Sequence, residues 1–213
     1  GGALGAAYAF YYNELSNQRI VSDKDKMNGS YLGPQFKADE IESNLKNSGA
    51  IFEKMSYEQI IEITAKKLSE GKAVGWMCGR MEFGPRALGG RSILADPRSP
   101  EMQRQLNLKV KYRESFRPFA PSVLREDLKD WFEIDADSPY MLLVADVTEP
   151  RRRTMSEEEQ ALFGIDKLNV SRSSIPAVTH VDYSARIQTV HRETNPRYHQ
   201  LISRFKEIGR AHV

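Results

Sequence analysis

A twenty-residue segment rich in glycine, proline and arginine constrains this chain more than any other feature. Residues 79–98 read GRMEFGPRALGGRSILADPR and contain four glycines, two prolines and four arginines. Guanidinium groups are costly to bury without partners, so the segment is a poor candidate for the hydrophobic core. Glycine allows main-chain amides to approach a ligand, and arginine presents a planar fork that matches phosphate or carboxylate oxygens. The segment predicts an anion-binding loop, although weak surface ion pairs would also account for any single arginine.

Positive charge is concentrated around this loop. Residues 80–117 contain nine Arg and Lys against four Asp and Glu, an excess of +5, whereas the whole chain of 213 residues carries +2. The remainder of the chain is therefore at −3. Because concentrated positive charge raises the local concentration of anions, we expect this region to bind a polyanionic ligand.

The overall composition is typical of a soluble globular protein, with 40% hydrophobic and 28% charged residues. No apolar run approaches the length needed to span a bilayer, and no signal peptide is visible, so no membrane association is expected. The lone cysteine, Cys78, rules out an internal disulfide and indicates a reducing, cytoplasmic compartment. Because it lies in an apolar run, Cys78 is interpreted as a small core residue.

Hydrophobic spacing and breaker residues predict an α/β chain with a twisted mixed sheet and flanking helices. A serine–glutamine capping box opens a helix at 56–71, and Asn195-Pro196 opens another that ends at Gly209. Further helices are predicted at 1–15, 39–47, 126–132 and 99–111, the last with Ser99 as its cap, and strands at 73–78, 140–147, 175–181 and 186–190. The first strand leads directly into the arginine-rich loop, an arrangement common at ligand sites of α/β folds.

Three motifs of this chain resemble those of the O-carbamoyltransferase family. Residues 79–98 are similar to the first motif, residues 111–124 (KYRESFRPFAPSVL) to the second, and residues 175–190 (IPAVTHVDYSARIQTV) to the third. The family includes nodulation protein NodU and antibiotic-modifying carbamoyltransferases of the cephamycin and tobramycin pathways. Three long motifs in the same order make a specific signal, and the resemblance covers nearly the whole chain.

The resemblance implies that the chain is a fragment of a longer protein. Residues 1–36 correspond to a linker and the end of an upstream catalytic domain of the actin-like ATPase superfamily, and residues 37–213 to a YrdC-like domain that is incomplete at its C-terminus. In the family a metal-binding aspartate lies upstream of this point, so no protein-bound metal is expected within the chain. The apolar N-terminal helix is expected to need a partner, either the upstream domain or a second copy in a homodimer.

The resemblance also implies an ATP-dependent transferase reaction divided between the two domains. The YrdC-like domain would form carbamoyl adenylate from carbamoyl phosphate and ATP with release of pyrophosphate, and the upstream domain would transfer the carbamoyl group to a hydroxyl of an acceptor that this chain does not specify. Magnesium is expected to accompany the ATP phosphates. Because two polyanions must be held side by side, several fixed cations are required, and catalysis would rest on positioning and charge stabilisation.

Basic residues of the first two motifs are assigned by the resemblance to carbamoyl phosphate. Three of them are expected to grip it and to support catalysis: Arg86, Lys111 and Arg117. Two more are expected either to bind it or to pair with carboxylates of the same motifs (Glu82 and Glu114): Arg91 and Arg113.

A second group of residues is assigned to the nucleotide, namely Ser174, His180 and Arg186. A structural ion pair between Arg186 and Asp182 is an alternative interpretation. His180 and Asp182 have a spacing that could suggest a metal, but two ligands make a weak site, and hydrogen-bonding roles are preferred. The basic run at 151–153 is interpreted as a solvated loop, with phosphate binding as the alternative.

Two readings from other classes remain open at this point. YrdC-like folds also occur in proteins of tRNA modification, so the chain could be a non-catalytic module that binds nucleic acid or a nucleotide. Nucleic acid is disfavoured because the net charge is near zero and aromatic residues are not interleaved with the basic loop. Alternatively, the isolated fragment could fold and yet bind nothing.

Overall fold

A computed structural model describes residues 2–22 and 25–209 and shows an α+β fold, which confirms the predicted class. The α-helices are α1 (Gly2–Ala9), α2 (Ala38–Asn47), α3 (Tyr57–Ser69), α4 (Met102–Leu106), α5 (Leu128–Trp131), α6 (Glu157–Ala161), α7 (Gly164–Leu168) and α8 (Pro196–Gly209). The strands are β1 (Val74–Met77), β2 (Arg91–Leu94), β3 (Ser122–Leu124), β4 (Leu143–Asp146) and β5 (Ser184–Val190). One π-helical turn follows α1 at Phe10–Glu14 and another follows α4 at Asn107–Lys111.

The strands form two small sheets rather than a single one. In the first, β1 and β2 pair antiparallel, with Val74 opposite Leu94, and the loop that connects them contains most of the arginine-rich segment. In the second, β5 is central: β3 pairs with it parallel and β4 antiparallel. The predicted mixed sheet therefore exists, and the β1–β2 ribbon is separate from it.

Helices α3 and α8 pack against each other and form one hydrophobic core. Ser56 Oγ accepts the N–H of Gln59, and the Gln59 side chain accepts the N–H of Ser56, which confirms the predicted capping box. Apolar residues spaced three and four apart on the two helices are buried together with Trp76 of β1: Ile61, Ala65, Leu68, Tyr198, Leu201, Ile202 and Phe205. The helical period of the sequence thus predicted both elements and the faces that they bury.

A second core lies between the three-stranded sheet and the short helix α5. Val123, Leu128, Trp131 and Ile187 are each at most 2% exposed there. A smaller cluster of Met102, Leu106 and Ala177 joins α4 to the turn Pro176–Val178. These clusters fix the elements that surround the candidate site.

One predicted strand, at residues 175–181, is wrong. The chain forms a 3-10 turn at Pro176–Val178 instead, in which Val178 N–H donates to the carbonyl of Ile175. The Thr179 hydroxyl bonds that same carbonyl at 2.9 Å. Because proline cannot donate to a sheet ladder, the apolar composition alone was a misleading signal for a strand.

Other predicted boundaries are shifted. Helix α4 begins at Met102 with Glu101 at the cap position, and no side chain caps it, so the predicted Ser99 cap is wrong. The strand expected at 140–147 is confined to Leu143–Asp146. The helix expected at 126–132 begins as the 3-10 turn Arg125–Asp127 before α5.

The N-terminal helix is present but buries none of its side chains. Tyr8, Phe10 and Tyr11 are 49%, 58% and 47% exposed, and the rings of Tyr8 and Tyr12 stack on each other. The sequence after Gly209 also suggests the start of a further strand, and residues 210–213 lie outside the described part of the chain. Within the described ranges, no helix is both long and apolar enough to cross a membrane.

Candidate anion-binding site

A cavity of about 300 Å³ opens between the β1–β2 ribbon, α4 and α8. Four basic side chains line it, and they come from three different parts of the chain: Arg86, Lys111, Arg113 and Arg186. The cavity also has an apolar wall, which includes Met102, Leu106, Phe119, Leu201 and Phe205. Converging cations beside an apolar wall are suited to a small polyanion or to the phosphates of a larger ligand.

The cavity also has one acidic lining residue, Asp96. This carboxylate is already bound by Arg98, whose Nε lies 2.8 Å from Oδ1 and whose Nη2 lies 2.5 Å from Oδ2. The Arg98 guanidinium also stacks over the Phe205 ring, 5.3 Å from its centre. Because Asp96 and Arg98 neutralise each other, the four basic residues keep their excess positive charge.

The loop that presents Arg86 is organised by Glu82. One carboxylate oxygen, Oε1, accepts the main-chain N–H groups of Leu88, Gly90 and Arg91 at 2.7, 2.8 and 3.2 Å. The side chain of Arg86 is exposed and makes no hydrogen bond or ion pair with any described residue. The loop is therefore fixed while its guanidinium remains available.

Gly89 allows the loop to approach α8 closely. Its φ is +102°, which favours glycine, and a Cβ at this position would lie 2.3 Å from a ring carbon of the buried Tyr198. Trp76 Nε1 donates to the Gly89 carbonyl at 3.1 Å. Gly89 of the motif is thus explained by packing as well as by turn geometry.

Arg91 supports the loop from outside the cavity. Its guanidinium donates to the carbonyls of Gly90, Gly79 and Cys78 at 2.8, 3.2 and 3.4 Å. The predicted pairing with Glu82 exists only through the Arg91 main-chain N–H. Arg91 does not line the cavity.

Lys111 and Arg113 reach the cavity from the π-helical turn that follows α4. Tyr112, between them, has φ +49° and ends the turn. Arg113 Nε donates to Asn107 Oδ1 at 2.6 Å, and its guanidinium lies over the Phe119 ring at 5.0 Å. The pairing of Arg113 with Glu114, one of the two roles expected for it, is therefore not formed. The Lys111 side chain is exposed and makes no hydrogen bond or ion pair within the described ranges.

Arg117 lies on the same segment but does not line the cavity. Its Nη1 is 3.8 Å from the Glu114 carboxylate, and both side chains are more than half exposed. The Arg117 carbonyl accepts a hydrogen bond from the side-chain amide of Asn107 at 2.8 Å, which fixes the main chain at Arg117 to the π-helical turn that follows α4. An exposed pair of this kind is weak, so the side chain is free to reorient.

Arg186, on β5, is the most unusual cation of the group. Its Nε is buried and has no hydrogen-bond partner among the described residues. Burial lowers the pKa of Arg186, and the positive charge of Arg86 lowers it further. The alternative pairing with Asp182 is absent, because that carboxylate accepts the N–H and hydroxyl of Ser184 at 3.0 and 2.7 Å.

Ser174 and His180, predicted to join Arg186 at the nucleotide, do not line the cavity. Both are exposed; Ser174 N–H donates to the Arg151 carbonyl at 2.9 Å and His180 N–H to the Ser184 carbonyl at 2.8 Å. Within the described ranges, no group of three or more His, Cys, Asp or Glu could hold a metal ion.

The arginine run at 151–153 makes structural contacts. Arg151 stacks over Trp131 at 4.1 Å, and Arg152 Nη2 lies 2.9 Å from Glu133. Arg153 pairs with Glu159 at 2.5 Å. All three guanidiniums have partners within the protein, so the run is typical of a protein surface whose charged side chains form internal contacts.

Two contributors to the site were missed from the sequence. The first is the apolar wall of the cavity, which comes mainly from residues of α4 and α8 whose helical spacing predicted burial but no role in a site. The second contributor is Tyr31, for which the sequence predicted no role, although its hydroxyl donates to the Leu88 carbonyl at 2.5 Å. No local pattern indicates a contact across 57 residues.

Residues 65–213 match the family model described as Carbamoyltransferase C-terminus. An uncharacterized protein of Synechocystis sp. is 57% identical over 210 residues, which cover 98% of this chain and 34% of that protein. Nodulation protein NolNO of Sinorhizobium fredii is 37% identical over 211 residues, 97% of this chain and 28% of that protein.

The 3'-hydroxymethylcephem-O-carbamoyltransferase of Amycolatopsis lactamdurans is 41% identical over 138 residues, 65% of this chain and 22% of that protein. The chain thus spans about a third or less of the length of these relatives. The family model covers well over half of the chain and includes all four basic residues of the cavity. The chain belongs to the carbamoyltransferase C-terminal family.

Proposed function

We propose that this chain forms carbamoyl adenylate from carbamoyl phosphate and ATP, as one half of an O-carbamoyltransferase. The carbamoyl group would then pass to a hydroxyl of an acceptor in another part of the protein. A relative is named for O-carbamoyl transfer to a hydroxymethyl group, which supports an alcohol as the acceptor. The acceptor-binding residues would lie outside this domain.

The observation that best supports this proposal is that the Nε of Arg186, beside Arg86, is buried and lacks a hydrogen-bond partner within residues 2–22 and 25–209. Two guanidiniums that repel each other raise the free energy of the empty site, and a polyanion between them would remove the repulsion. A purely structural arginine would have been expected to acquire a carboxylate or carbonyl partner. The positions of Arg186 and Arg86 are therefore better explained by ligand binding than by a contribution to the stability of the fold.

Roles within the cavity follow from the positions of the cations. Arg86 and Lys111, which have no partner among the described residues, would grip carbamoyl phosphate, and Arg113 would hold it from a direction fixed by Asn107. Arg186 would face the ATP phosphates. Arg117 would join them after leaving Glu114, at a small cost because the pair is exposed.

The volume of the cavity favours one small ligand together with only part of a larger ligand. About 300 Å³ is at the lower limit of ordinary ligand pockets, which suits carbamoyl phosphate and the phosphates of ATP. Magnesium would enter on the ATP phosphates, because Asp96, the one carboxylate of the lining, is engaged by Arg98. A nucleic-acid strand would instead require an open basic groove with stacking platforms.

The overall reaction balances with one water consumed. Carbamoyl phosphate, ATP and water give carbamoyl adenylate, inorganic phosphate and pyrophosphate. The cations would stabilise the charge that develops on the departing phosphate and pyrophosphate oxygens, so no protein nucleophile is required.

The proposal is tested by the release of pyrophosphate from ATP with magnesium, measured with and without carbamoyl phosphate. Release should require carbamoyl phosphate and should fall at least about tenfold in Arg86→Ala, because a charged hydrogen-bonding partner of the substrate is lost. Arg153→Ala, which removes an arginine outside the cavity, should match the parent. Release that is independent of carbamoyl phosphate, or equal in the two variants, would contradict the proposal.

A further inference from the structure

The segment Leu88–Gly90 is held from two opposite sides. From one side, the Glu82 carboxylate accepts the N–H groups of Leu88 and Gly90. From the other, the Leu88 carbonyl accepts the hydroxyl of Tyr31 at 2.5 Å and the side-chain amide of Gln188 at 2.7 Å. Arg86 lies two residues before this clamped segment, so the clamp limits where its guanidinium can go.

Tyr31 is supplied by a stretch that runs beside the arginine-rich loop, residues 25–34, here called the strap. Its far end pairs with the start of the loop: Gly33 N–H donates to the Met81 carbonyl at 2.9 Å, and Met81 N–H donates to the Pro34 carbonyl at 3.0 Å. The Phe83 N–H donates to the Ser30 carbonyl at 2.6 Å. Residues 30–34 of the strap are therefore joined to the loop by main-chain hydrogen bonds, and the strap contains a 3-10 turn at Asn28–Ser30.

The near end of the strap is fixed independently. Asp25 accepts the N–H groups of Met27 and Gly29 at 2.9 and 2.8 Å, and the Tyr140 hydroxyl at 2.5 Å. Gly29 has φ +65°, and a Cβ there would lie 2.3 Å from a methyl group of Thr194. The close approach at Gly29 and the hydrogen bonds of Asp25 together set the position of the strap.

We infer that Tyr31 is a positioning residue, which acts through the Leu88 carbonyl to hold Arg86 in register with Arg186. Asn195, at the start of α8, donates to the Tyr31 hydroxyl at 2.9 Å and accepts the N–H of Tyr198 at 3.1 Å. The strap, the loop and α8 thus share one hydrogen-bond network. The inference rests on the proposed function for its effect on substrate binding, but the clamp itself does not depend on it.

The Tyr31 hydroxyl is a constant donor at physiological pH. Burial raises the pKa of Tyr31 to about 12, and the charge of Glu82 acts in the same direction, whereas the hydrogen bond from Asn195 opposes them. Since the phenol stays protonated, the clamp should not switch with pH in the neutral range. Its removal requires a change in the side chain.

The test is Tyr31→Phe, with Tyr57→Phe as the matched control. Both remove one hydroxyl that donates to a main-chain carbonyl; the Tyr57 hydroxyl donates to the Arg197 carbonyl at 3.0 Å, on α8 and not on the loop. Hydrogen–deuterium exchange is measured on peptides that cover residues 82–91, together with peptides that cover α5, which contains neither substituted tyrosine, as an internal reference. Tyr31→Phe should accelerate exchange at 82–91 at least about threefold, the effect of losing one hydrogen bond, while Tyr57→Phe should leave it unchanged.

The kinetic arm separates positioning from general stability. In the pyrophosphate-release assay, Tyr31→Phe should raise the KM for carbamoyl phosphate about threefold to tenfold, and the KM for ATP should stay within about twofold, because Arg186 lies on β5 and not on the loop. Equal exchange rates at residues 82–91 in Tyr31→Phe and in the parent would overturn the inference. This arm of the test holds even if the parent releases no pyrophosphate. An unchanged KM for carbamoyl phosphate in an active enzyme would overturn it as well.

Discussion

Replacing Arg186 by methionine is expected to stabilise the fold and to weaken anion binding at the same time. The Nε of Arg186 is buried and has no hydrogen-bond partner in the part of the chain that the structure describes, and Arg86 adds an unfavourable charge nearby. A buried polar group without a partner costs about 1–3 kcal/mol. Because part of the Arg186 side chain is exposed, we take the lower limit of this range, about 1 kcal/mol. Methionine keeps an unbranched apolar stem in the same space.

The assay is urea denaturation with and without inorganic pyrophosphate, which serves as a polyanion probe. Without the probe, Arg186→Met should be about 1 kcal/mol more stable than the parent, equivalent to about 2–4 °C in Tm for a chain of this size. At a probe concentration one hundred times the parent's Kd, the parent should gain about 2.7 kcal/mol and become the more stable protein. The order of stability should therefore reverse when the anion is added.

The control is Arg152→Met, because Arg152 has a side chain of intermediate exposure, 28%, and is fully engaged. Its Nε donates to the Val147 carbonyl at 2.7 Å, and its Nη2 pairs with Glu133 at 2.9 Å. That variant should be less stable than the parent by about 1–3 kcal/mol and should respond to the anion as the parent does. A destabilised Arg186→Met, or one that gains as much from the anion as the parent, would refute the reasoning.

Three further outcomes are expected. Gly89→Ala should lower the free energy of unfolding by more than about 2 kcal/mol because the new Cβ would collide with the Tyr198 ring. Gly71→Ala should lower it by only about 1 kcal/mol, because the space around Gly71 is open, and urea denaturation of both variants compares the two effects. Arg86→Lys should weaken carbamoyl phosphate binding nearly as much as Arg86→Ala, since lysine lacks the bidentate fork, and a lysine variant that binds like the parent would contradict this. Burial opposes a low pKa at Asp25, but hydrogen bonds from a tyrosine hydroxyl and two main-chain amides outweigh it and lower the pKa below the usual 3.8. The stabilisation that this carboxylate provides is present above pH 3.8 and lost as the pH falls through the folded value, so the protection factors of the strap amides, which are corrected for the intrinsic exchange rate at each pH, should fall in acid in the parent and not in Asp25→Asn.

Local patterns were sufficient where short-range physics decides the structure. The apolar spacing of α8 and the capping box of α3 are properties of a few consecutive residues, and both were confirmed. The loop between β1 and β2 followed from glycine and proline content and from the cost of burying arginine. In each case no distant part of the chain was needed for the prediction.

Contacts between distant segments could not be inferred in the same way. Glu82 was expected to pair with an arginine side chain, but it binds three main-chain N–H groups, and nothing in the sequence separates the two possibilities. The Tyr31–Leu88 contact likewise depends on the tertiary fold. Ser174 and His180 were grouped with Arg186 from the third motif, but neither lines the cavity that Arg186 lines, and a 3-10 turn at Pro176–Val178 replaces the strand expected there.

The most direct test of the proposed site is a calorimetric titration of carbamoyl phosphate into the parent, Arg86→Ala and Arg153→Ala. The parent should bind, and Arg86→Ala should lose about tenfold to a hundredfold in affinity, as expected for one charge-assisted arginine contact. Arg153→Ala should remain within about twofold of the parent, because its guanidinium is engaged by Glu159 outside the cavity. Equal affinities for the two variants, or no binding by a folded parent, would contradict the assignment of the cavity as the anion site.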